Sequence, residues 1–339
     1  MSLNKKFLNK SASAGVEDTF NVKLYEGDRP SNVTVNTFGF SPDLVIIKDR
    51  DNADNWSVLD TTRGQYVIGT NSQDAEADFS GGFEFTSGGF IVKNTGQANT
   101  DGADLVSYGW LANGGTTATN SDGNFDVTVQ ANTDAGFSII TYTGQGSDTT
   151  YGHGLDSAPE FLFTKTRSHT SDWPVYHKDL TSAAYRLVLN SDGAENTDNN
   201  PWNSTAPTSS VISIKGDAGN VNTSGRTYVT YAFHSVEGYS KFGTYTGTGT
   251  SSRSFTGIGF QPDFVMVKSL TQTARWHTYD SARGVKKRLL LNSSGAEFNE
   301  LSAGNDGLRS FDSDGWTVGN DTDMNGDGES YIYAVFKIN

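Results

Sequence analysis

The chain has 339 residues and no cysteine, which excludes disulfides, thiolate metal sites and cysteine nucleophiles together. Its 39 acidic against 25 basic side chains leave a formal charge of −14, which opposes attraction to nucleic-acid phosphates or an anionic membrane surface. No apolar run reaches the roughly 18 residues a spanning helix needs, and 38 glycines added to a 35% hydrophobic share give an ordinary globular composition, so packed cores are expected.

Residues 1–17 form an N-terminal segment with Lys5, Lys6 and Lys10 and without the apolar stretch of a secretory signal, so export by that route is not expected. Its lysines are candidates for anchoring onto a partner, against a frayed terminus as the plain alternative. From 18 to 114, short apolar runs such as "DLVIIK" alternate with clusters of Gly, Asn, Asp, Ser and Thr, the pattern of buried strands joined by turns. Residues 115–135 begin as a polar linker and then carry "NFDVTVQ", whose alternation predicts one extra strand that could bridge two modules. Residues 136–236 repeat the first pattern with "EFLFTK" and "YVTYAF", and 237–339 repeat it with "DFVMVK" and "YIYAVF". "SARGVKKRLLLN" comes nearest to a helical stripe and reads equally as a turn into a strand. The fold class expected is all-β, three tandem β-sandwich-like modules.

The repeat keeps its spacing without a gap. Tyr25, Tyr142 and Tyr245 lie 17 positions before Pro42, Pro159 and Pro262; Lys48, Lys165 and Lys268 lie 6 after, and Trp56, Trp173 and Trp276 lie 14 after. A residue identical in three copies is explained most simply by a packing need. The tryptophans are therefore expected as core or inter-strand anchors, with ligand stacking as the alternative. Each lysine ends a strand and is expected to keep its charged head in solvent, with a paired role second. Asp60 with Arg63 and Asp280 with Arg283, three residues apart, predict local ion pairs; the second copy has His177 and Leu180 there.

Catalytic constellations are not legible. The five histidines show no zinc spacing, no GxSxG, phosphate-loop or dinucleotide pattern falls in a strand-to-helix context, and no carboxylate pair among 39 can be singled out. The chain is read as a non-enzyme. One candidate metal site stands out: Asp321, Asp323, Asn325 and Asp327 surround Gly326 like the first half of a calcium loop, but position 12 is Ile332 where a bidentate glutamate is expected. A polar turn is the alternative, and calcium is the one candidate cofactor. Non-repeating features are the candidates for recognition: Trp202 in the insertion "SDGAENTDNNPWNSTAPTSS", with Tyr151 and His153 in a glycine-rich stretch before it, is placed to stack on the apolar face of a sugar or else to pack under its own loop.

"GIGFQPDFVMVK", "YDSARG", "SFDSDGWTVG" and "GDGESYIYAVF", with "TYTGQGSDTTYGHGLDSAPEF", "WNSTAPTSSV" and "FHSVEGYSKFGTYTGTGT" between the first and last copies, resemble virion structural proteins with repeats from marine tailed phages and cyanophages. The resemblance covers nearly the whole chain after Phe20. It implies a virion location, other virion proteins as partners, no catalytic residues, and a homo-oligomer with a trimer among the allowed forms. The function expected is a tail appendage, fibre or adhesion protein. The alternatives are a capsid decoration protein, and a carbohydrate-binding module or depolymerase acting on host surface glycans. No nucleic acid or membrane is expected as partner, and Lys5, Lys6 and Lys10 would serve as the virion anchor.

Overall fold

The computed structural model describes residues 19–218, 220–300 and 306–338. Among them the chain is all-β apart from one helical turn, Thr322–Asn325. Each repeat builds a main antiparallel sheet with one strand order. In the first, the opening strand Phe20–Glu26 pairs with the closing strand Asp104–Trp110; this pairs with the proline strand Leu44–Asp49, and that with the tryptophan strand Ser57–Asp60. The same order recurs as Phe137–Thr143, Thr227–Phe233, Phe161–Thr166 and Pro174–His177, and again as Ser240–Thr246, Ser330–Phe336, Phe264–Ser269 and His277–Asp280. The register repeats too, with Leu44, Phe161 and Phe264 opposite Trp110, Phe233 and Phe336.

The proline strands read as unbroken apolar runs because both of their faces are buried. Side chains alternate across a strand. Val45 and Ile47 point into a core closed by a small sheet of Val33–Val35, Gly89–Val92 and Phe83–Thr86; Val265 and Val267 do the same beneath Arg253–Phe255, Gly315–Val318 and Leu308–Asp312. In the second repeat the covering layer is the pair Thr149–Gly152 and Val211–Ile214. Leu44 and Ile46, Phe161 and Phe163, Phe264 and Met266 point the other way, into one apolar cluster fed by all three main sheets. The repeats are therefore layered units around a common centre, and that centre belongs to none of them alone.

The centre is built from aromatic rings, some stacked, as Phe161 on Phe242 at 5.6 Å, and some edge-on, as Trp110 on Phe336 at 5.7 Å and on Phe233 at 6.2 Å. A small apolar cavity of about 50 Å³ remains there, lined by Ile46, Tyr108, Phe163, Phe233, Met266 and Ala334 among others.

The extra strand expected between the first two repeats is Val127–Asn132. It adds to the free edge of the opening strand Phe137–Thr143 and carries a further short strand, Ala118–Asn120, outside it. Its buried Gln130 reaches the first repeat, donating Nε2 to the Thr61 and Thr62 hydroxyls at 2.9 Å each.

Candidate functional site

Trp56, Trp173 and Trp276 are at most 1% exposed. Each indole Nε1 donates to a backbone carbonyl of another repeat: Trp56 to Leu290, Trp173 to Gly69 and Trp276 to Val188, all at 3.0 Å. The three acceptors occupy one repeat position. Each precedes by two an asparagine, Asn71, Asn190 or Asn292, whose side-chain oxygen accepts the backbone N–H of the tryptophan in its own repeat. The first repeat thus reaches the third, the second the first, and the third the second, and the ring closes. A parallel set of backbone bonds follows it: Glu297 N–H to Arg50 carbonyl at 2.7 Å, Glu76 to Arg167 at 2.8 Å and Glu195 to Leu270 at 2.9 Å.

The lysine expectation is corrected by the structure. Lys48, Lys165 and Lys268 are fully buried, because the strand end that carries each is roofed by loop backbone. The Lys48 ammonium donates to the carbonyls of Asp49 and Asn52, at 2.5 and 3.0 Å. Lys165 donates to Ser171 and to Gln73 of the first repeat, the latter at 2.7 Å, and Lys268 to Ser269 at 2.7 Å and Asp192 of the second repeat at 3.3 Å. Burial pushes all three down to about 8.

The ion pairs are more than local. Asp60 and Arg63 are both fully buried, with Nε to Oδ2 at 2.5 Å, and the same Asp60 oxygen accepts the Tyr231 hydroxyl of the second repeat at 2.6 Å. Asp280, Arg283 and Tyr108 of the first repeat form the same triad, with distances of 2.5 and 2.8 Å. Burial foremost keeps both phenols protonated well above their ordinary range. At the seam between second and third repeats all three positions change together, to His177, Leu180 and Ala334. The bidentate Arg50–Glu297 pair (2.9 and 3.0 Å) and the Arg167–Glu76 pair (2.9 Å) also have no counterpart there, since Leu270 takes the arginine's place. Two seams are ionic and one is apolar. His177 is pushed down to about 3, chiefly by burial.

The calcium residues are engaged otherwise. Asp321 caps the helical turn by accepting the Asp323 N–H at 2.9 Å and pairs with Arg288 at 2.9 Å, while Asp323 turns to His277 at 3.3 Å and Asp327 is exposed. Asn325 is fully buried and donates to Thr250 and Gly319 carbonyls at 2.9 and 2.8 Å, while its oxygen accepts the Thr248 N–H at 2.9 Å. Asn99 and Asn222 hold the equivalent loops in the other two repeats with the same three bonds. Asn325 is thus a repeat residue that braces its turn, and its oxygen is already used. Among the described residues no three acidic or histidine side chains converge as a metal site.

Of the recognition candidates, Trp202 is 1% exposed and lies edge-on to Tyr176 at 6.1 Å, so it packs under its own loop and offers no stacking face. Tyr151 is fully buried, stacked on Tyr142 at 4.7 Å and bonded to the Thr230 hydroxyl at 3.0 Å. His153 is also fully buried, its ring nitrogens on the Leu155 N–H and the Thr208 carbonyl at 3.1 Å each. The three are corrected from surface candidates to core residues. Lys5, Lys6 and Lys10 lie outside the described residues.

One concave surface stands out where the repeat is broken. The added strand parts from the opening strand of the second repeat beyond Thr128 opposite Thr141, and a groove of about 410 Å³ opens between them. Phe125, Asp126, Thr128, Thr143, Gln145 and Arg167 are in its wall. None was singled out by sequence reasoning; the signal for it was the "NFDVTVQ" stretch, alternating but outside the repeat.

No curated protein and no solved structure matches the chain. A family model described as a domain of unknown function, DUF7483, matches residues 16–339, the whole of the ring just described, and the chain belongs to that family.

Proposed function

We propose that this chain is a non-enzymatic structural protein of a tailed-phage virion, serving in a tail appendage or related adhesion structure among other virion proteins. The resemblance carried by the repeat motifs supports the virion location. The observation that carries the structural role is the closed ring: the three repeated tryptophans, Lys165, Lys268 and the two Asp–Arg–Tyr sets are buried and spent on joining one repeat to another. Such a body resists unfolding without any disulfide and leaves its non-repeating loops free to vary at the surface.

Immunogold labelling of intact particles tests the proposal. Label on the tail is the expected result; label on the head favours capsid decoration, and no label on any particle refutes the virion reading. Release of reducing sugar from host surface polysaccharide by the purified chain would refute the non-enzymatic part.

A further inference from the structure

We infer that the groove beside the added strand of the second repeat is a saccharide-binding site. It exists only because the repeat is broken there: the equivalent edges, Phe20–Glu26 and Ser240–Thr246, carry no added strand among the described residues, so neither has a second wall.

Three features fit the groove to a neutral, hydroxyl-rich ligand. Its volume of about 410 Å³ lies within the range of small-ligand sites. An aromatic ring stands in its wall. Phe125 is half-buried and meets Tyr142 edge-on at 6.1 Å, and Tyr142 is itself stacked on Tyr228 at 5.1 Å and Tyr151 at 4.7 Å. The backbone beside Phe125 is pinned: Asn124 N–H bonds the Thr150 carbonyl at 2.9 Å, and a side chain at Gly123 would collide with Tyr151 backbone at 2.4 Å. A platform held this way binds with a smaller ordering cost. The remaining wall is short polar groups. Threonines 119, 128, 141, 143 and 227 line the groove with the exposed Asp126 and Gln145, and together they supply the donors and acceptors that sugar hydroxyls need. Beyond the point where the strands part, the Thr143 carbonyl takes the Gln145 side-chain amide at 2.7 Å in place of a strand partner, and an exposed amide yields readily to a ligand hydroxyl.

Anionic ligands fit less well. Arg167 is paired with Glu76, Asp126 faces the groove, and the chain is strongly acidic. The inference adds a receptor class to the virion reading without depending on it. A chain that binds saccharide but labels no particle refutes that reading alone, and one that labels tails but binds no saccharide refutes this inference alone.

The test is an array of bacterial lipopolysaccharide O-chains, capsular polysaccharides and hexose oligomers, with hits measured by saturation-transfer NMR and titration calorimetry on the full chain. A synthetic strand peptide of sequence VTVQAN is run in parallel. The expected result is retention of at least one saccharide, weakened at least tenfold by Phe125→Ala and about fivefold by Asp126→Asn. The surface change Asp126→Asn leaves the melting temperature unmoved, which separates loss of binding from loss of fold. Absence of any retained saccharide, equal binding by both variants, or retention of the peptide alone overturns the inference.

Discussion

At the residue scale, burial decides more here than charge does. A tryptophan in the ring contributes a large apolar surface and one directed N–H, and Trp→Phe removes the second with part of the first. Each of Trp56→Phe, Trp173→Phe and Trp276→Phe is expected to cost about 1–3 kcal/mol, similar in all three, because each removes the buried indole N–H bond to a carbonyl of another repeat together with part of the packed ring. Denaturant midpoints at unchanged slope check this, and a cost confined to one of the three would break the equivalence. The titratable groups give two pH windows with one origin, burial that disfavours the charged form of a base. His177 sits near 3 in the folded chain against 6.5 ordinarily, so as pH falls through 6.5 towards 3 the unfolded chain binds a proton that the folded chain refuses. Stability falls across that window, and His177→Gln should flatten the loss between pH 7 and 4.5. The lysines near 8 act above neutrality. Below 8 both states carry the charge; from 8 towards 10.5 the folded state sheds its proton first, so stability rises with pH. Chemical denaturation should therefore give a higher midpoint at pH 9 than at 7.5, before the buried tyrosines, raised above 10, reverse the trend.

At the scale of elements, the informative contrast is between the two ionic seams and the apolar one. A buried charge is tolerable only with its partner, and removal of one member typically costs 3–5 kcal/mol. The His177, Leu180 and Ala334 positions carry no acid–base pair to lose, so introducing one there is a direct test of the pairing rule. His177→Asp alone is expected to lose about 3–5 kcal/mol. Adding Leu180→Arg supplies, three residues on, the partner that Arg63 and Arg283 provide on the same backbone, and should recover a coupling of about 2–3 kcal/mol in a double-mutant cycle. Additive losses would mean that the backbone of this seam does not hold the triad geometry. The coordinated change was half legible beforehand. The loss of aspartate and arginine in the second copy is visible in the chain, but their phenol partners, Tyr231 and Tyr108, lie in other repeats 171 and 172 residues away. Ungapped spacing reports what repeats within a unit and is silent about which units touch. Two of the lysines were misread for the same reason: ending a strand suggests solvent, and the loops of Gln73 and Asp192, brought in from neighbouring repeats, help to roof Lys165 and Lys268, while Lys48 is roofed by its own loop at Asn52. At Asn325 the acidic neighbours suggested calcium, but the polar turn weighed against it is what the structure has, and Asn99 at the same place in the first repeat was its signal.

At the scale of the whole molecule, the all-β class and the three-fold repetition were legible from alternation and spacing, while the ring was not. A doubly buried strand reads as an apolar run whether its second face meets a covering sheet or two other repeats. The shared centre has a thermodynamic consequence that separate domains would not share. If the third repeat were removed, Leu44, Ile46 and Trp110 on one side and Phe161, Phe163 and Phe233 on the other would lose part of the cluster that buries them. Trp56 would lose its acceptor at Leu290 and Arg50 its partner Glu297. A fragment of residues 19–236 would then expose a contiguous aromatic patch and hold an orphaned buried indole, each of which disfavours the folded state. The full chain is accordingly expected to melt in one transition with calorimetric and van't Hoff enthalpies in agreement, although it is longer than most two-state proteins. The fragment is expected to bind hydrophobic dye and to lack a cooperative transition. Two resolved transitions in the full chain, or a sharp melt in the fragment, would show that each repeat is stable by its own sandwich layer and that the aromatic centre adds only docking energy.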